Sequence, residues 1–349
     1  MKQIQALALF SGGLDSILAT RLIMEQGIEV LAIQFVTPFF NYTILEDIEG
    51  HRQKMMEKYG IHVQVVDISK GYLQLLHNPA HGFGKNFNPC IDCKIMMFTR
   101  AKAMLKEYGA SFLISGEVLG QRPMSQRRDT MNVVERDSGT RSILLRPLCA
   151  QLMQETEVEK QGLVDRSKLL KMTGRSRTPQ LALAAQYGIT DFPAPAGGCI
   201  LADPILSRRI KAMYATDSKT RHSEITVIDI RSLLFGRQFV LPGGGWLILG
   251  RDEQENIRLT DLALREDAVL LMEDWPGPTA IVKKINTYIS SGTDLERDLH
   301  YAAGLVVRYG RKQPEGNNTG EVSCTLAGEK QLICVEALQD EVYAEWNIQ

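Results

Sequence analysis

The sequence predicts an α/β protein: a doubly wound parallel sheet with a helical appendage, followed by a smaller α+β domain. Three observations predict it. Apolar strand-like runs alternate with amphipathic helical ones from residue 4 to residue 115, which is the pattern of successive βαβ units. A glycine pair, Gly12-Gly13, stands where the first of these strands turns into the first helix. Beyond about residue 222 the texture changes to short β-rich runs separated by turn residues.

The first strand is the nearly continuous apolar run 4–10, suited to a parallel strand buried on both faces. The first helix follows at 16–24, with Ile17, Leu18, Arg21, Leu22 and Met24 at helical spacing and Gly27 ending it. Runs at 28–36, 44–59, 62–68, 91–108 and 111–115 continue the alternation, and ligands of such sheets lie at the carboxyl ends of the strands. Two further helical patterns fall within 157–188, with Asp165 as a candidate N-cap and Thr178-Pro179 opening the second. In the last part, strands are expected at 225–230, 246–249, 268–272, 279–282, 322–326 and 332–337, and a helix at 293–309. Gly243-Gly244-Gly245 is a predicted turn and 313–320 a polar exposed loop.

Composition sets the class. The 349 residues are enough for two or three domains, and a hydrophobic fraction of 44% supports real cores. No apolar stretch reaches the ~18 residues of a membrane helix, and the N-terminus lacks the order of a signal peptide, so a cytoplasmic protein with no membrane partner is expected. In that compartment six cysteines suit metal ligation or redox chemistry better than disulfides.

The turn Ser11-Gly12-Gly13-Leu14-Asp15-Ser16 carries the most specific chemistry. Two glycines let backbone N–H groups converge on an anion, the helix N-terminus adds about half a positive charge, and Ser11 and Ser16 add hydroxyls. It is neither the Walker loop nor the Gly-x-Gly-x-x-Gly fingerprint. All six positions resemble the SGGxDS signature of the PP-loop ATP pyrophosphatases, whose fold is Rossmann-like and which cleave ATP between its α and β phosphates to adenylate a carbonyl or amide oxygen. The resemblance implies ATP and Mg²⁺, with pyrophosphate held by Ser11, Gly12, Gly13 and Ser16. Asp15 is the candidate for orienting Mg²⁺ or the attacking group, against the plainer role of helix capping. Phe10, Gln34 and Phe35, at strand ends, are candidates for framing the adenine.

A second constellation is Asn88-Pro89-Cys90-Ile91-Asp92-Cys93-Lys94, joined at a distance by Pro195-Ala196-Gly197-Gly198-Cys199. Cys-x-x-Cys at a helix start can put two thiolates on one ion or into a redox pair. A structural zinc would want a fourth ligand, and none stands at customary spacing. Three thiols suit a [4Fe–4S] cluster with one iron open, or a scheme in which one cysteine carries a persulfide and another resolves it. Cys149, Cys324 and Cys334, in or beside apolar runs, are expected in the core.

Asn-Pro-x-x-x-Cys with a distant Gly-x-Cys resembles the tRNA 2-thiouridylase branch of PP-loop enzymes, which implies Cys93 as catalytic thiol and Cys199 as persulfide carrier. Cys90 departs from the Asp common there and gives the three-cysteine set similar to iron–sulfur-dependent tRNA thiolation enzymes. Residues 115–126, with Gly116, Glu117 and Gln121, are similar to the Gly-Asp-x-Leu-Gly-Gln-x-x-Ser-Gln stretch of 4-thiouridine synthetases, Glu replacing Asp. This adds Gly116 and Gln121 to the ATP-binding set. Neither a THUMP-like module nor a rhodanese domain is recognisable. Residues 246–256 resemble part of the NFACT-R module.

Charge is uneven. Residues 94–221 hold 21 Lys/Arg against 12 Asp/Glu, whereas 222–349 hold 12 against 20. A basic middle suits a polyanion, and Arg122, Arg127, Arg128, Arg208 and Arg209 are the candidate RNA contacts. The expected organisation is a PP-loop ATP-binding domain at 1–150, a helical basic extension with the third cysteine at 151–220, and an α+β domain at 221–349. The resemblance implies an ATP-dependent tRNA sulfurtransferase supplied by sulfide or by persulfide from a cysteine desulfurase, and it allows a homodimer. The alternative is a PP-loop thiolating or amidotransferase-like enzyme of small molecules, which would not need the basic middle.

Overall fold

The structure is a computed structural model describing residues 3–195, 198–220, 225–285, 289, 291–311 and 318–348, with side chains at 216–220 excluded. Ala196 and Gly197 of the third-cysteine segment and most of the loop expected at 313–320 lie outside the described residues. The chain divides into two compact units, 1–202 and 203–349.

The first unit holds a five-stranded sheet in the order β3-β2-β1-β4-β5, all neighbours parallel. Its strands are β1 (Ala6–Leu9), β2 (Val30–Val36), β3 (His62–Asp67), β4 (Phe112–Ser115) and β5 (Leu144–Leu145). Its helices are α1 (Leu14–Met24), α2 (Ile48–Tyr59), α3 (Ser69–His77), α4 (Cys90–Tyr108), α5 (Arg128–Ser138), α6 (Glu157–Lys160) and α7 (Thr178–Gln186). The expected run at 44–59 divides, because Asp47 ends a short 3₁₀ turn (Tyr42–Glu46) and caps α2 by accepting the Gly50 N–H at 2.9 Å. Thr178 is the first residue of α7 rather than its cap, which is Arg177.

The doubly wound reading is borne out. The strand order reverses between β1 and β4, and Leu9 at the end of β1 lies opposite Ser115 at the end of β4. That reversal is the topological switch point, where doubly wound sheets bind ligands. The extension expected at 151–220 is not a separate body. Val158, Val164, Leu169, Leu183, Ala184 and Ile189 join the same buried cluster as Ala6, Ile17 and Leu18, so 151–202 packs with the sheet and the division falls at 202/203.

The second unit begins with α8 (Pro204–Thr220) and α9 (Val227–Ser232). Its strands β6 (Arg237–Val240), β7 (Trp246–Leu249), β8 (Ala268–Met272), β9 (Ala280–Lys283), β10 (Thr319–Leu326) and β11 (Glu329–Glu336) form one antiparallel sheet in the order β11-β10-β8-β9-β7-β6. Helices α10 (Glu253–Leu262), α11 (Gly292–Tyr309) and α12 (Asp340–Tyr343) complete it. The strand expected at 225–230 is α9 instead. Thr226 and Asp229 form a reciprocal capping box there, with bonds of 2.8 and 3.2 Å, and this local start signal outweighs the apolar run. Cys149 and Cys324 are buried as expected, but Cys334 is exposed because β11 is an edge strand. Among the described residues no helix is long and apolar enough to cross a membrane.

Candidate active site

After Leu9 the Phe10 N–H still donates to the Ile33 carbonyl at 2.9 Å, and then the chain leaves the sheet. Gly12 takes φ +76°, a left-handed conformation that glycine adopts without strain. Gly13 is the N-cap of α1 and offers no side chain, so the Leu14 and Asp15 N–H groups are left for a ligand, while the Ser16 N–H donates to the Gly13 carbonyl at 3.0 Å. The two serines brace the turn. Ser16 Oγ donates to the Gly13 carbonyl at 2.8 Å, while the Ser11 and Gly13 N–H groups reach Ser16 Oγ and Ser11 Oγ, each at 3.3 Å. Ser16 is buried beneath the loop rather than lining the space above it.

Gly116, just past β4, backs the loop. A Cβ there would lie 2.7 Å from the backbone of Asp15 and Ser16, so any side chain would push the loop out of place. Its part is therefore to seat the loop. Asp15 is tied from the same direction: Gln121 Nε2 donates to Asp15 Oδ2 at 2.9 Å, and Asp15 Oδ1 and Gln121 Oε1 are buried without partners.

Above the loop opens a cleft of about 890 Å³, lined by Ser11–Asp15, Gln34, Gln121 and Arg122 among others. This volume falls within the ~300–1,000 Å³ of small-molecule and cofactor sites. Gln34 Oε1 accepts from His51 Nε2 at 2.8 Å, and burial, followed by the charge of Lys54, lowers the His51 pKa and favours the neutral ring. Lys54, Lys58, Arg175 and Arg177 bring positive charge to the walls, Lys58 being ion-paired with Asp191. Phe10 and Phe35 are core residues and do not line the cleft. Ile44, Met55, Tyr59 and Phe192 supply the apolar wall instead. The signal for three of them was present in the amphipathic run at 44–59.

The cysteines come together through backbone bonds. Asn86 Nδ2 donates to the Ala202 carbonyl at 2.6 Å and the Phe87 N–H to the Leu201 carbonyl at 3.1 Å, which brings the Cys199 segment beside the start of α4. Cys90 is the first residue of α4, and the Cys93 N–H donates to the Pro89 carbonyl at 2.8 Å. Burial pushes the Cys93 thiol up to about 12, with Cys90 and Cys199 adding to the rise against a hydrogen bond from Tyr72 and the charge of Lys94. Cys199 is also raised, first by burial and then by Cys90, while Arg122 pulls the other way. The charges of Cys90 and Cys199 thus bear on Cys93 and that of Cys90 on Cys199, and Arg122, which lines the cleft, bears on Cys199 as well. Among the described residues no three His, Cys, Asp or Glu side chains stand in metal-holding positions. His81 fixes the turn between the cysteines, its N–H and ring reaching Asp92 at 3.0 and 3.1 Å and its other nitrogen reaching Asp137 at 3.0 Å.

Beneath this runs a buried charge series. Glu117 binds Lys94, the neighbour of Cys93, and accepts from Arg146 Nε at 2.8 Å; Arg146 Nη1 binds Glu135. Burial alone would raise the Glu117 carboxyl, but Lys94 and Arg146 outweigh it and hold it at about 2. The Glu at this position keeps its charge and orders the site from below.

Of the basic candidates, Arg122, Arg127, Arg128 and Arg208 are exposed. Arg127 pairs with Asp129 at 3.0 Å, and Arg128 donates to the Leu152 carbonyl at 2.9 Å. Arg209 corrects the expectation. It is buried, donating to the Leu233 and Gly236 carbonyls at 2.9 Å each, and burial followed by Arg251 lowers its pKa to about 10. Its guanidinium braces α8 within the second unit and is not an RNA contact.

Comparison with known proteins covers both units. Residues 1–161 match the family model described as thiamine biosynthesis protein (ThiI), and residues 236–347 match that of the NFACT protein RNA binding domain. A probable tRNA sulfurtransferase of Thermococcus kodakarensis is 27% identical over 177 residues, 50% of this chain and 43% of that protein. One of Methanothermobacter thermautotrophicus is 29% identical over 156 residues, 44% and 38% of the two chains. The match thus spans less than half the length of these relatives. Among solved structures, the chain is similar to a 4-thiouridine synthetase–RNA complex with bound ATP (20% identity, TM-score 0.34, 53% of this chain and 51% of that one). It is also similar to the U34-tRNA thiolase NcsA from Methanococcus maripaludis with its [4Fe–4S] cluster (20% identity, TM-score 0.33, 66% and 71%). The family resemblance expected from the motifs is borne out at both ends of the chain.

Proposed function

We propose that this chain is an ATP-dependent sulfurtransferase that adenylates a pyrimidine carbonyl oxygen of tRNA and replaces that oxygen with sulfur. The observation that carries the reading is the juxtaposition, within one unit, of a glycine-rich anion loop at the sheet's switch point and three cysteines on two segments that the bonds of Asn86 and Phe87 join, with Arg122 on the cleft wall. The names of the curated relatives support tRNA as the acceptor, and the match of the second unit supports an RNA contact there.

ATP is the first substrate. Gly12, Gly13 and the first turn of α1 hold its leaving pyrophosphate, while the carbonyl oxygen attacks the α-phosphate and forms an adenylated intermediate. Mg²⁺ fits the loop, because Asp15 Oδ1 and Gln121 Oε1 are adjacent acceptors without partners; there it would neutralise the charge developing on the phosphates. Adenylation turns the pyrimidine oxygen into AMP, a competent leaving group.

Sulfur then enters at the same carbon. With sulfane sulfur delivered to Cys199 from an external persulfide donor, the terminal sulfur attacks, AMP departs with the oxygen, and a mixed disulfide joins base and Cys199. Cys93 Sγ attacks the Cys199 sulfur, its thiol proton passing to the departing base, which releases the thiolated pyrimidine and leaves a Cys93–Cys199 disulfide for an external dithiol to reduce. Cys90, Cys93 and Cys199, on two segments joined by backbone bonds, are the residues that would hold a [4Fe–4S] cluster, which when bound would supply an open iron for hydrosulfide; their side chains as placed do not form a metal-holding set and would have to turn toward one another to do so.

The test is anaerobic incubation with ATP and an unmodified tRNA transcript, reading both products and nucleosides. AMP, pyrophosphate and a thiolated pyrimidine are expected; ADP and phosphate would refute the loop reading. Nucleosides unchanged in tRNA from a deletion strain would refute tRNA as the acceptor.

A further inference from the structure

An exposed aromatic ring stands beside the cysteines. Of the 11 phenylalanines only Phe83, on the loop that leads into α4, is exposed, at 39%. Its ring is held all the same: it stacks on the buried Phe87, centroids 4.3 Å apart and planes at 28°. Phe87 is in turn fixed to the third-cysteine segment, its N–H donating to the Leu201 carbonyl at 3.1 Å. Between the two rings the loop closes on itself, the Gly84 N–H donating at 2.8 Å to the carbonyl of Asn88, two residues before Cys90. Met124 fills the space that a Gly84 side chain would need, its Sδ 3.0 Å from where a Cβ would stand. Arg122 and Pro123, directly before Met124, line the nucleotide cleft. Phe83 therefore stands where the start of α4, the Cys199 segment and the stretch running to the cleft meet. Met124 is exposed with it, and so is Ile200, next to Cys199.

We propose that Phe83 is the stacking platform for the pyrimidine base that receives the sulfur. This deepens the sulfurtransferase reading and rests on it. In that reaction the base meets the ATP α-phosphate through its oxygen and then a cysteine-borne sulfur at the adjoining carbon, so it has to lie between the cleft and the cysteines. A base withdrawn from an RNA helix loses its stacking neighbours, and an aromatic face beside the reaction centre replaces them. The stack on Phe87 fixes the ring beforehand, so little freedom is lost when a base covers it. A protein partner would want a wider apolar face than one ring and two side chains supply.

Phe83→Trp turns the platform into a reporter. Trp246, Trp275 and Trp346 all belong to the second unit, and the wild type supplies their background fluorescence. When the full chain is titrated with an unmodified tRNA transcript, without ATP or a sulfur source, the added indole is expected to be quenched as a base stacks on it. Thiolation assays form a second arm. Phe83→Leu keeps an apolar contact with Phe87 but no ring, and it should lower kcat/KM for tRNA about 5–150-fold, the loss of one stacked base, whereas Phe83→Tyr should restore it. A Phe83→Leu protein that melts like the wild type shows that the loss is not one of fold. Binding of tRNA to Phe83→Trp without quenching gives this face to another partner and overturns the proposal, as does Phe83→Leu activity equal to that of Phe83→Tyr; thiolation by the wild type then still stands. A wild-type chain that thiolates no pyrimidine, while tRNA still quenches the indole, sinks the sulfurtransferase reading instead and leaves Phe83 as a residue that stacks on RNA.

Discussion

Gln121 holds Asp15 by one oxygen only: its Nε2 donates to Asp15 Oδ2 at 2.9 Å, and the second carboxylate oxygen is left buried and unpartnered beside the anion loop. A lone buried acceptor of this kind is ready for a cation, and its orientation depends on the amide. Asp15→Ala should abolish AMP and pyrophosphate formation with the fold intact. Gln121→Leu should retain the carboxylate but misplace it, lowering activity about 10–100-fold, as loss of an orienting partner does. Titration of activity with Mg²⁺ separates the two roles. A Gln121→Leu enzyme with unchanged Mg²⁺ dependence would refute the positioning role.

The second prediction concerns Gly116. Its hydrogen faces the peptide between Asp15 and Ser16, where a methyl group would stand 2.7 Å from three backbone atoms. Backbone cannot rotate away as a side chain does, so Gly116→Ala should shift the loop and destabilise the unit by about 1–3 kcal/mol. Nucleotide affinity should fall more than stability does. Isothermal titration with a non-hydrolysable ATP analogue, beside a denaturant melt, checks this; wild-type affinity in the variant would show that the loop is not seated on Gly116.

Glu117 gives a pH-dependent prediction. Its carboxyl is held at about 2, below its ordinary 4.5, because Lys94 and Arg146 outweigh the cost of burial. A group depressed in the folded state contributes its full stability above the unfolded value, and that contribution is lost as pH falls from about 4.5 towards 2. Glu117→Gln should therefore remove the acid-dependent part of stability over that window. At pH 7 it should cost about 3–5 kcal/mol, since two buried cations lose their shared partner. Urea melts from pH 2 to 7 read both effects, and parallel curves for variant and wild type would contradict the assignment.

The cysteines offer a choice between two chemistries. A cluster needs Cys90, Cys93 and Cys199, whereas persulfide transfer needs only Cys93 and Cys199. Anaerobically purified protein should be brown, with about four irons per chain, and Cys90→Ala should lose both colour and activity. Colourless protein that stays iron-free after reconstitution, with Cys90→Ala still active, would establish the persulfide route instead.

How much of this was legible is a question of range. The loop Ser11–Ser16 was legible because strand, glycine pair and helix start are neighbours in sequence, and the structure places them at the switch point. The approach of Cys199 to Cys90 rests on bonds from Asn86 and Phe87 to carbonyls more than a hundred residues away, which no local pattern announces; the residue types suggested the grouping and the family resemblance supported it, but neither gave the contacts that make it. Phe10 and Phe35 look alike as core and as adenine frame, because an apolar strand end reads the same in both settings, and the sheet buried them. The helix at Val227–Ser232 was hidden for a different reason. An apolar run of six residues fits either period, and the capping box of Thr226 and Asp229 decided it.

The last prediction separates arginines that composition treats alike. Arg127 and Arg128 are exposed, so charge reversal at both should leave the fold intact and weaken tRNA binding through a salt-dependent term, each lost phosphate contact flattening the log–log slope by about 0.7–0.9. Arg208 is exposed on α8 and should behave in the same way if the second unit also meets RNA. Arg209, its neighbour, should not. Arg209→Ala leaves the Leu233 and Gly236 carbonyls without their donors in a buried place, at a cost of about 1–3 kcal/mol for each group left unsatisfied. Its effect should therefore appear in a thermal melt without RNA, and any loss of binding should follow from lost fold with the salt slope of the remaining folded fraction unchanged. An Arg209→Ala protein that melts like the wild type but binds tRNA with a flatter slope would return Arg209 to the RNA surface.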